Sequence, residues 1–400
     1  MSTEECAGVM SGNKALPREA VGQTVDSPAI YEGLSGVVVG RSAICDVNGE
    51  RGTLSYRGYD IGELARHATF EETVHLLWYG DLPNRNQLDE LTAGLCEQRE
   101  IGERVIRILE MLPADVEPMD ALRTAISALS FPANGNGRPP AGDKQAVCLV
   151  AKAPTIVASF YRQRQGLAPI QPRTDLSHAA NFLYMIHGDA PTETQAKTMD
   201  LAMLLMAEHG YNASTFAARV TAATLTDMVS AITSAIGTLK GPLHGGANEQ
   251  AMRMMLEIGD TANVEPYICD ALDRKQRIMG FGHRVYRTMA DPRSVYLRDR
   301  LSELCAESGD FHFYKLATKI ADTVEAQKGL FPNVDFYMAP VLYLLGVPLE
   351  LFVTVFAISR VPGWAAHVME QHANNKIIRP LSAYVGPENR TYQPIDRRRD

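Results

Sequence analysis

Between Phe336 and Ser359 the chain runs for 24 residues with a single charged side chain, Glu350. A stretch that apolar must be surrounded on all sides, by lipid or by a protein interior. Pro340, Gly346 and Pro348 divide it, and a Gly-x-Pro turn makes a poor centre for a membrane span. The segment therefore reads as two helices buried in a large core. Enclosing whole helices takes a long chain, and 400 residues are available; at roughly 150 residues per domain, that length predicts two or three domains.

Most of the remaining pattern is helical. Asp60 is placed to cap a helix running through Ala65, and Thr69 before Phe70-Glu71-Glu72 is a capping-box start. Asp120 to Leu129 and Thr192 to Glu208 carry apolar residues at helical spacing, and Ala213 to Ile236 reads as one long Ala-rich helix, apolar on several faces. The β signal is confined to the start. Val37 to Val39 and Ser42 to Ile44 are β-prone, and Asn48-Gly49 ahead of Thr53 to Tyr56 predicts a hairpin with a type I′ turn. Pro132 to Gly142 reads as a loop, and without a following GK[ST] it is no phosphate cradle. Residues 1–30 are polar and lack an apolar h-region, which predicts a mobile extension rather than a secretory signal. The expected fold class is mostly α, with a small N-terminal β element.

Six cysteines lie scattered with no C-x-x-C pair. That argues against a zinc site or a disulfide framework and predicts reduced thiols in a cytoplasmic setting. The formal charge of −8 argues against the broad positive surface that nucleic acid or an anionic membrane requires. Yet the charge is uneven. Arg274 to Arg300 holds eight basic and two acidic residues, +6 in 27 positions, so the rest of the chain carries −14. Such a block is commonly a solvated face, and anion binding is the sharper alternative. Within it, Met279-Gly280-Phe281-Gly282-His283 places two glycines and an aromatic beside a histidine, as where backbone approaches a ligand closely.

Two further segments stand out. Gly241-Pro242-Leu243-His244-Gly245-Gly246-Ala247-Asn248-Glu249 sets His244 in a tight loop ahead of a helix from Gln250 to Ile258. A helix N-terminus disfavours imidazolium, so a neutral ring there can donate to an oxyanion; a histidine that merely satisfies turn backbone is the plainer alternative. In Asn333-Val334-Asp335-Phe336-Tyr337, Asp335 opens an apolar helix and is most simply its N-cap. His367 and Glu370 stand at i, i+3 without the HExxH set a metal would need. No G-x-S-x-G occurs, so a nucleophile-elbow hydrolase lacks its main signal.

Together these segments resemble the citrate synthase family, including its 2-methylcitrate synthase branch. Four blocks carry the resemblance in order: GPLHGGANE (241–249), MGFGHRVYRTMADPR (279–293), NVDFY (333–337) and SRVPGWAAHVMEQ (359–371). EHGYNASTFAARV (208–220), YRGYDI (56–61) and NKIIRPLSAYVGP (375–387) are also similar to family segments. The resemblance implies a two-domain helical homodimer, with a large domain of 31–243 plus 341–400 and a small one of 244–340. It implies condensation of acetyl-CoA with oxaloacetate followed by thioester hydrolysis, with CoA thioester as co-substrate and no resident cofactor or metal. Propionyl-CoA is the alternative acyl donor, and a non-catalytic binding protein on the same scaffold is the alternative of another class.

By the same resemblance, Asp335 is the general base, His244 the donor to the enolate oxygen, and His283 the group that polarises the ketone. Arg293, Arg360 and Arg379 match carboxylate-binding arginines, with His209 as a further ligand and Arg379 reaching the neighbouring subunit's site. Arg277, Ile278, Met279, Gly280 and Phe281 match the loop that wraps coenzyme A. Guanidinium groups suit a dicarboxylate because they bind each carboxylate through two parallel hydrogen bonds. One departure is visible: ten steps separate His283 from Arg293 where the family has nine, an extra residue in Thr288-Met289-Ala290.

Overall fold

The computed structural model describes residues 29–34, 36–129 and 142–398. Among these, sixteen α-helices and one three-stranded sheet are present. Two units separate: Ser42–Ile378, and the terminal segments up to Arg41 and from Arg379 onward. Most of the expected extension (1–30) and of the Pro132–Gly142 loop lies outside the described residues, and Gly142 itself begins the helix Gly142–Arg164.

The apolar stretch divides as its glycine and proline dictate. One helix spans Val334–Leu344, the chain turns at Gly346 with φ 73°, and a second helix spans Phe352–Ala373. Pro340 does not break the first helix; it sits inside it. The region Leu349–Ala373 is long and apolar enough to cross a membrane, yet 89% of its most apolar window is buried within the protein. It packs against Gly142–Arg164, Ala213–Ala222, Glu193–Met206, Met228–Leu239 and Phe70–Tyr79. Burial among these helices explains its mostly apolar composition.

Local capping follows the sequence closely. Asp60 accepts from the Gly62 amide and starts Ile61–His67. Thr69 and Glu72 form the reciprocal capping box of Phe70–Tyr79, which satisfies two backbone donors that the helix itself leaves free.

Three expectations need correction. The stretch from Ala213 to Ile236 is two helices, Ala213–Ala222 and Met228–Leu239. Asp227 caps the second through the Ser230 amide, and Leu225 takes φ 63° in the connection. A side chain that offers the backbone a cap ends a helix that apolar periodicity alone would continue. The hairpin forms, with β1 Cys45–Asn48 paired antiparallel to β2 Thr53–Tyr56 and β3 Tyr59–Asp60 beyond. Its turn is longer than the two-residue form, because Asn48 pairs with Thr53 and its Oδ1 accepts from the Glu50 and Arg51 amides. Val37 to Val39 and Ser42 to Ile44 are not strand: β2 ends at Tyr56 opposite Cys45, and the bond that follows, from the Arg57 amide to Ile44 O at 2.8 Å, does not extend the ladder.

Candidate active site

The segment 279–293 is stitched to the start of the helix Val334–Leu344 by backbone. The Asn333 amide donates to Gly280 O at 2.9 Å, the Gly282 amide to Phe331 O at 3.0 Å, and the Asp291 amide to Pro332 O at 3.2 Å. Gly280 is required there: φ is 83°, and an added Cβ would lie 2.8 Å from Phe336 Cβ. The glycine pair read in the sequence therefore brings His283 and Asp335 onto adjoining segments.

Asp335 is not the helix cap. Asn333 takes that role, accepting from the Asp335 amide at 3.0 Å, so the Asp335 carboxylate is left for other work. Burial pushes its pKa up to about 6, against the opposing pull of Arg293 and Arg360, while Asp291 adds to the rise. An acid held that close to neutrality is ionised at pH 7 yet basic enough to accept a proton.

His244 lies just ahead of the helix Ala247–Ile258, whose cap is Gly246 at φ 87°. Its Nε2 accepts from the Ser214 amide at 3.2 Å and lies 2.8 Å from Ser214 Oγ. Trp364 Nε1 donates to that hydroxyl at 3.2 Å, and Asn212 Oδ1 lies 2.8 Å from it. Because Nε2 accepts a backbone N–H, the neutral ring carries its proton on Nδ1. Burial, with Arg360 and Arg284 assisting, lowers its pKa to about 4. The ring is thus a neutral donor at physiological pH.

His283 has the opposite tautomer. Its Nδ1 accepts from the Val285 and Tyr286 amides at 3.0 and 3.2 Å, which leaves the proton on Nε2. Burial lowers its pKa, opposed by Asp291 and helped by Arg293. His209 packs edge-on to it with ring centroids 5.2 Å apart. Burial first, then Arg293, holds His209 well below the usual imidazole range.

Arg293 and Arg360 are almost fully buried, at 2% and 1% exposure. Arg293 grips Asp291 through two hydrogen bonds, Nε to Oδ1 at 2.9 Å and a terminal nitrogen to Oδ2 at 2.7 Å. Arg293 thus lies in the same buried cluster as Asp335 and His209, on both of which its charge acts. Arg360 donates from Nε to Met206 O at 2.5 Å and lies over the Phe356 ring. Its charge acts on Asp335, His209 and His244 alike. Arg277 is exposed, Ile278 and Gly280 are buried, and Met279 and Phe281 are half-buried on the same loop. Arg379 is exposed and belongs to the other unit, whose C-terminal segment it begins.

Among the described residues, one set of possible metal donors gathers here, His209, His283 and Asp291, with ligand atoms within 4.8 Å of one another. It does not fit a cation. The His283 Nδ1 lone pair is engaged by two amides and both Asp291 oxygens by Arg293.

Sequence reading missed one constellation. His367 Nε2 donates to Glu208 Oε1 at 2.9 Å, with both side chains fully buried. Arg219 reaches His367 Nδ1 at 3.0 Å and Glu370 Oε2 at 2.7 Å. Glu208 and Arg219 both lie within a quoted family-like block, but nothing in local spacing pairs them with a helix 150 residues onward.

Residues 33–381 match the family model described as "Citrate synthase, C-terminal domain". The chain belongs to the citrate synthase family. It is 44% identical to "Citrate synthase 2" of Bacillus subtilis over 369 residues, which cover 92% of this chain and 98% of that one. It is 41% identical to the 2-methylcitrate synthase of Shewanella oneidensis, over 92% and 97% of the two chains. A solved ternary complex of the Thermoplasma acidophilum citrate synthase with carboxymethyl coenzyme A and oxaloacetate aligns with a TM-score of 0.85 at 33% identity, covering 93% of this chain and all of that one. Citrate synthases are transferases that condense acetyl-CoA with oxaloacetate, and the chain has the family's fold: mostly helical, with one small sheet near the start.

Proposed function

We propose that this site condenses acetyl-CoA with oxaloacetate and hydrolyses the resulting thioester to citrate and CoA. The observation that carries the reading is one buried cluster: Asp335, a carboxylate freed from capping, shares the field of Arg360 with His244 and that of Arg293 with His283, two histidines of fixed and opposite tautomer.

Each group then has one task. Asp335 removes a proton from the acyl carbon beside the thioester carbonyl. A carbon acid is weak, so the developing charge on the carbonyl oxygen must meet a donor already in place, and His244 Nδ1–H supplies it. The nucleophilic carbon attacks the ketone carbon of oxaloacetate, forming the new C–C bond. His283 Nε2–H polarises the ketone oxygen and passes it a proton, and the proton that Asp335 removed goes back through the site to restore the neutral ring. Water then cleaves the thioester, and coenzyme A leaves as the thiol.

Arg293 and Arg360 take the two carboxylates of oxaloacetate, with His209 beside them. Arg379 enters from the partner of a homodimer, consistent with its exposure in the single chain. Arg277 to Phe281 wraps coenzyme A, and the small domain 244–340 moves against 31–243 plus 341–400. A cytoplasmic enzyme feeding acetyl units into the tricarboxylic acid cycle fits the reading. Propionyl-CoA is the second donor to test, because 2-methylcitrate synthases are among the relatives and one methylene changes binding by only about 1–3 kcal/mol.

The deciding experiment measures CoA release with oxaloacetate and each acyl-CoA. The expected result is a higher kcat/KM for acetyl-CoA, and a fall of about a hundredfold to ten-thousandfold in Asp335→Ala. Equal rates in wild type and variant would overturn the enzyme reading, and a strong propionyl preference would reassign the donor.

A further inference from the structure

Tyr286 belongs to the catalytic loop but has no part in the scheme above. It is 2% exposed, although Arg284, Val285, Arg287 and Thr288 around it are all exposed. Its side chain therefore turns inward from a loop that otherwise faces solvent.

There it meets both histidines. The ring stacks on His283, with centroids 4.8 Å apart and planes 27° from parallel. It meets His209 edge-on at 5.8 Å, and its hydroxyl lies 3.4 Å from His209 Nε2. Its own amide is one of the two that hold His283 Nδ1. One residue thus fixes the plane of His283, helps set its tautomer and bounds His209. Burial keeps the phenol protonated, so the hydroxyl has a hydrogen to give to a neutral imidazole.

The loop is held from the outside as well. An added Cβ at Gly49 would collide with the Val285 carbonyl oxygen, and one at Gly52 with Met289 Sδ. The β1–β2 turn therefore presses directly on the backbone next to Tyr286 and on the Met289 side chain three positions beyond it. Close backbone approach of this kind needs glycine on one side, and it leaves the loop little room to withdraw Tyr286 from the histidines.

We propose that Tyr286 is a positioning residue for the oxaloacetate end of the site, holding His283 through its ring and His209 through its hydroxyl. The inference rests on the functional reading above. It predicts separable losses. Tyr286→Phe keeps the ring and removes the hydroxyl, so KM for oxaloacetate rises about fivefold to tenfold, the worth of one buried hydrogen bond, while kcat stays within about twofold. Tyr286→Ala removes both, and kcat falls about tenfold or more because His283 loses the face that fixes it.

The test is steady-state kinetics of wild type, Tyr286→Phe and Tyr286→Ala at saturating acetyl-CoA, with the rise in Tm at saturating oxaloacetate read in parallel. Restored kcat with raised KM in the Phe variant, and a smaller oxaloacetate-induced Tm rise, support the role. An unchanged KM in Tyr286→Phe overturns it. So does a Tyr286→Ala enzyme with wild-type kcat and only a lower Tm. A wild type that releases no CoA overturns the functional reading itself, whereas an active wild type with an indistinguishable Phe variant overturns the Tyr286 role alone.

Discussion

Asp291 holds the Arg293 guanidinium by one edge: its two oxygens take Nε and one terminal nitrogen, and both residues are 2% exposed. Arg293 also reaches Leu205 O at 3.4 Å. A guanidinium fastened along one edge still presents its other edge for a ligand carboxylate. Although burial alone would raise the Asp291 pKa, Arg293 holds it below the usual range, so the pair stays charged across the working pH range.

Asp291→Asn should therefore act twice. Arg293 loses its charged anchor, and KM for oxaloacetate rises about tenfold or more. Asp335 also loses a negative neighbour that raises its pKa. Its ionised form becomes easier to reach, and the acid limb of kcat/KM moves below its wild-type position near pH 6. A pH profile with an unmoved limb would contradict this coupling.

Asp335 should cost stability above its own pKa. Its folded pKa of about 6 exceeds the ordinary 3.8, so between those values the folded chain holds a proton that the unfolded chain has released. Stability then falls as pH rises through this window and is level above it. A gap of about two pH units sets an upper limit of about 3 kcal/mol. Asp335→Asn should melt higher than wild type at pH 7.5 and nearly level with it at pH 4, as thermal unfolding at the two pH values would show.

The buried Glu208–His367 pair predicts a stability loss without direct chemistry. Glu208 Oε2 already lacks a hydrogen-bond partner, so His367→Ala would leave neither carboxylate oxygen with its present side-chain partner. The expected loss is about 2–4 kcal/mol in urea unfolding. A loss below about 1 kcal/mol would mean that water replaces the imidazole.

Leu225 offers the opposite effect. It is 68% exposed and adopts φ 63° between two helices, a region where a Cβ costs roughly 1–2 kcal/mol. Leu225→Gly removes that strain and regains only part of it as chain entropy. A gain of about 0.5–1 kcal/mol is expected, again from denaturant unfolding.

Arg379→Ala tests the shared site. The variant should sediment as the wild type does, while KM for oxaloacetate rises at least tenfold. An unchanged KM would remove Arg379 from the binding set.

What could be read in advance was chemistry encoded over a few residues. Pro and Gly fixed the break between the helices Val334–Leu344 and Phe352–Ala373, and Asp60 and Thr69 capped where local hydrogen bonding directs. Apolar periodicity misled between Ala213 and Ile236, because a cap at Asp227 competes with it and leaves no mark on hydropathy. Asp335 looked like a cap for the same reason. Asn333 and Asp335 are both plausible caps from composition, and only the backbone geometry assigns the task to Asn333.

The sequence by itself determined a large helical core, the loops that carry His244 and His283, the helix start that carries Asp335, and the family. All of these follow from residues close together along the chain. Tertiary structure alone decided the state of those residues. The His244 tautomer depends on an amide 30 positions away, the Asp335 pKa on how deeply its helix is buried, and the partner of His367 on a glutamate 159 positions earlier. Proton position and buried charge are set by whatever surrounds a group in space, and only the packed chain defines those surroundings.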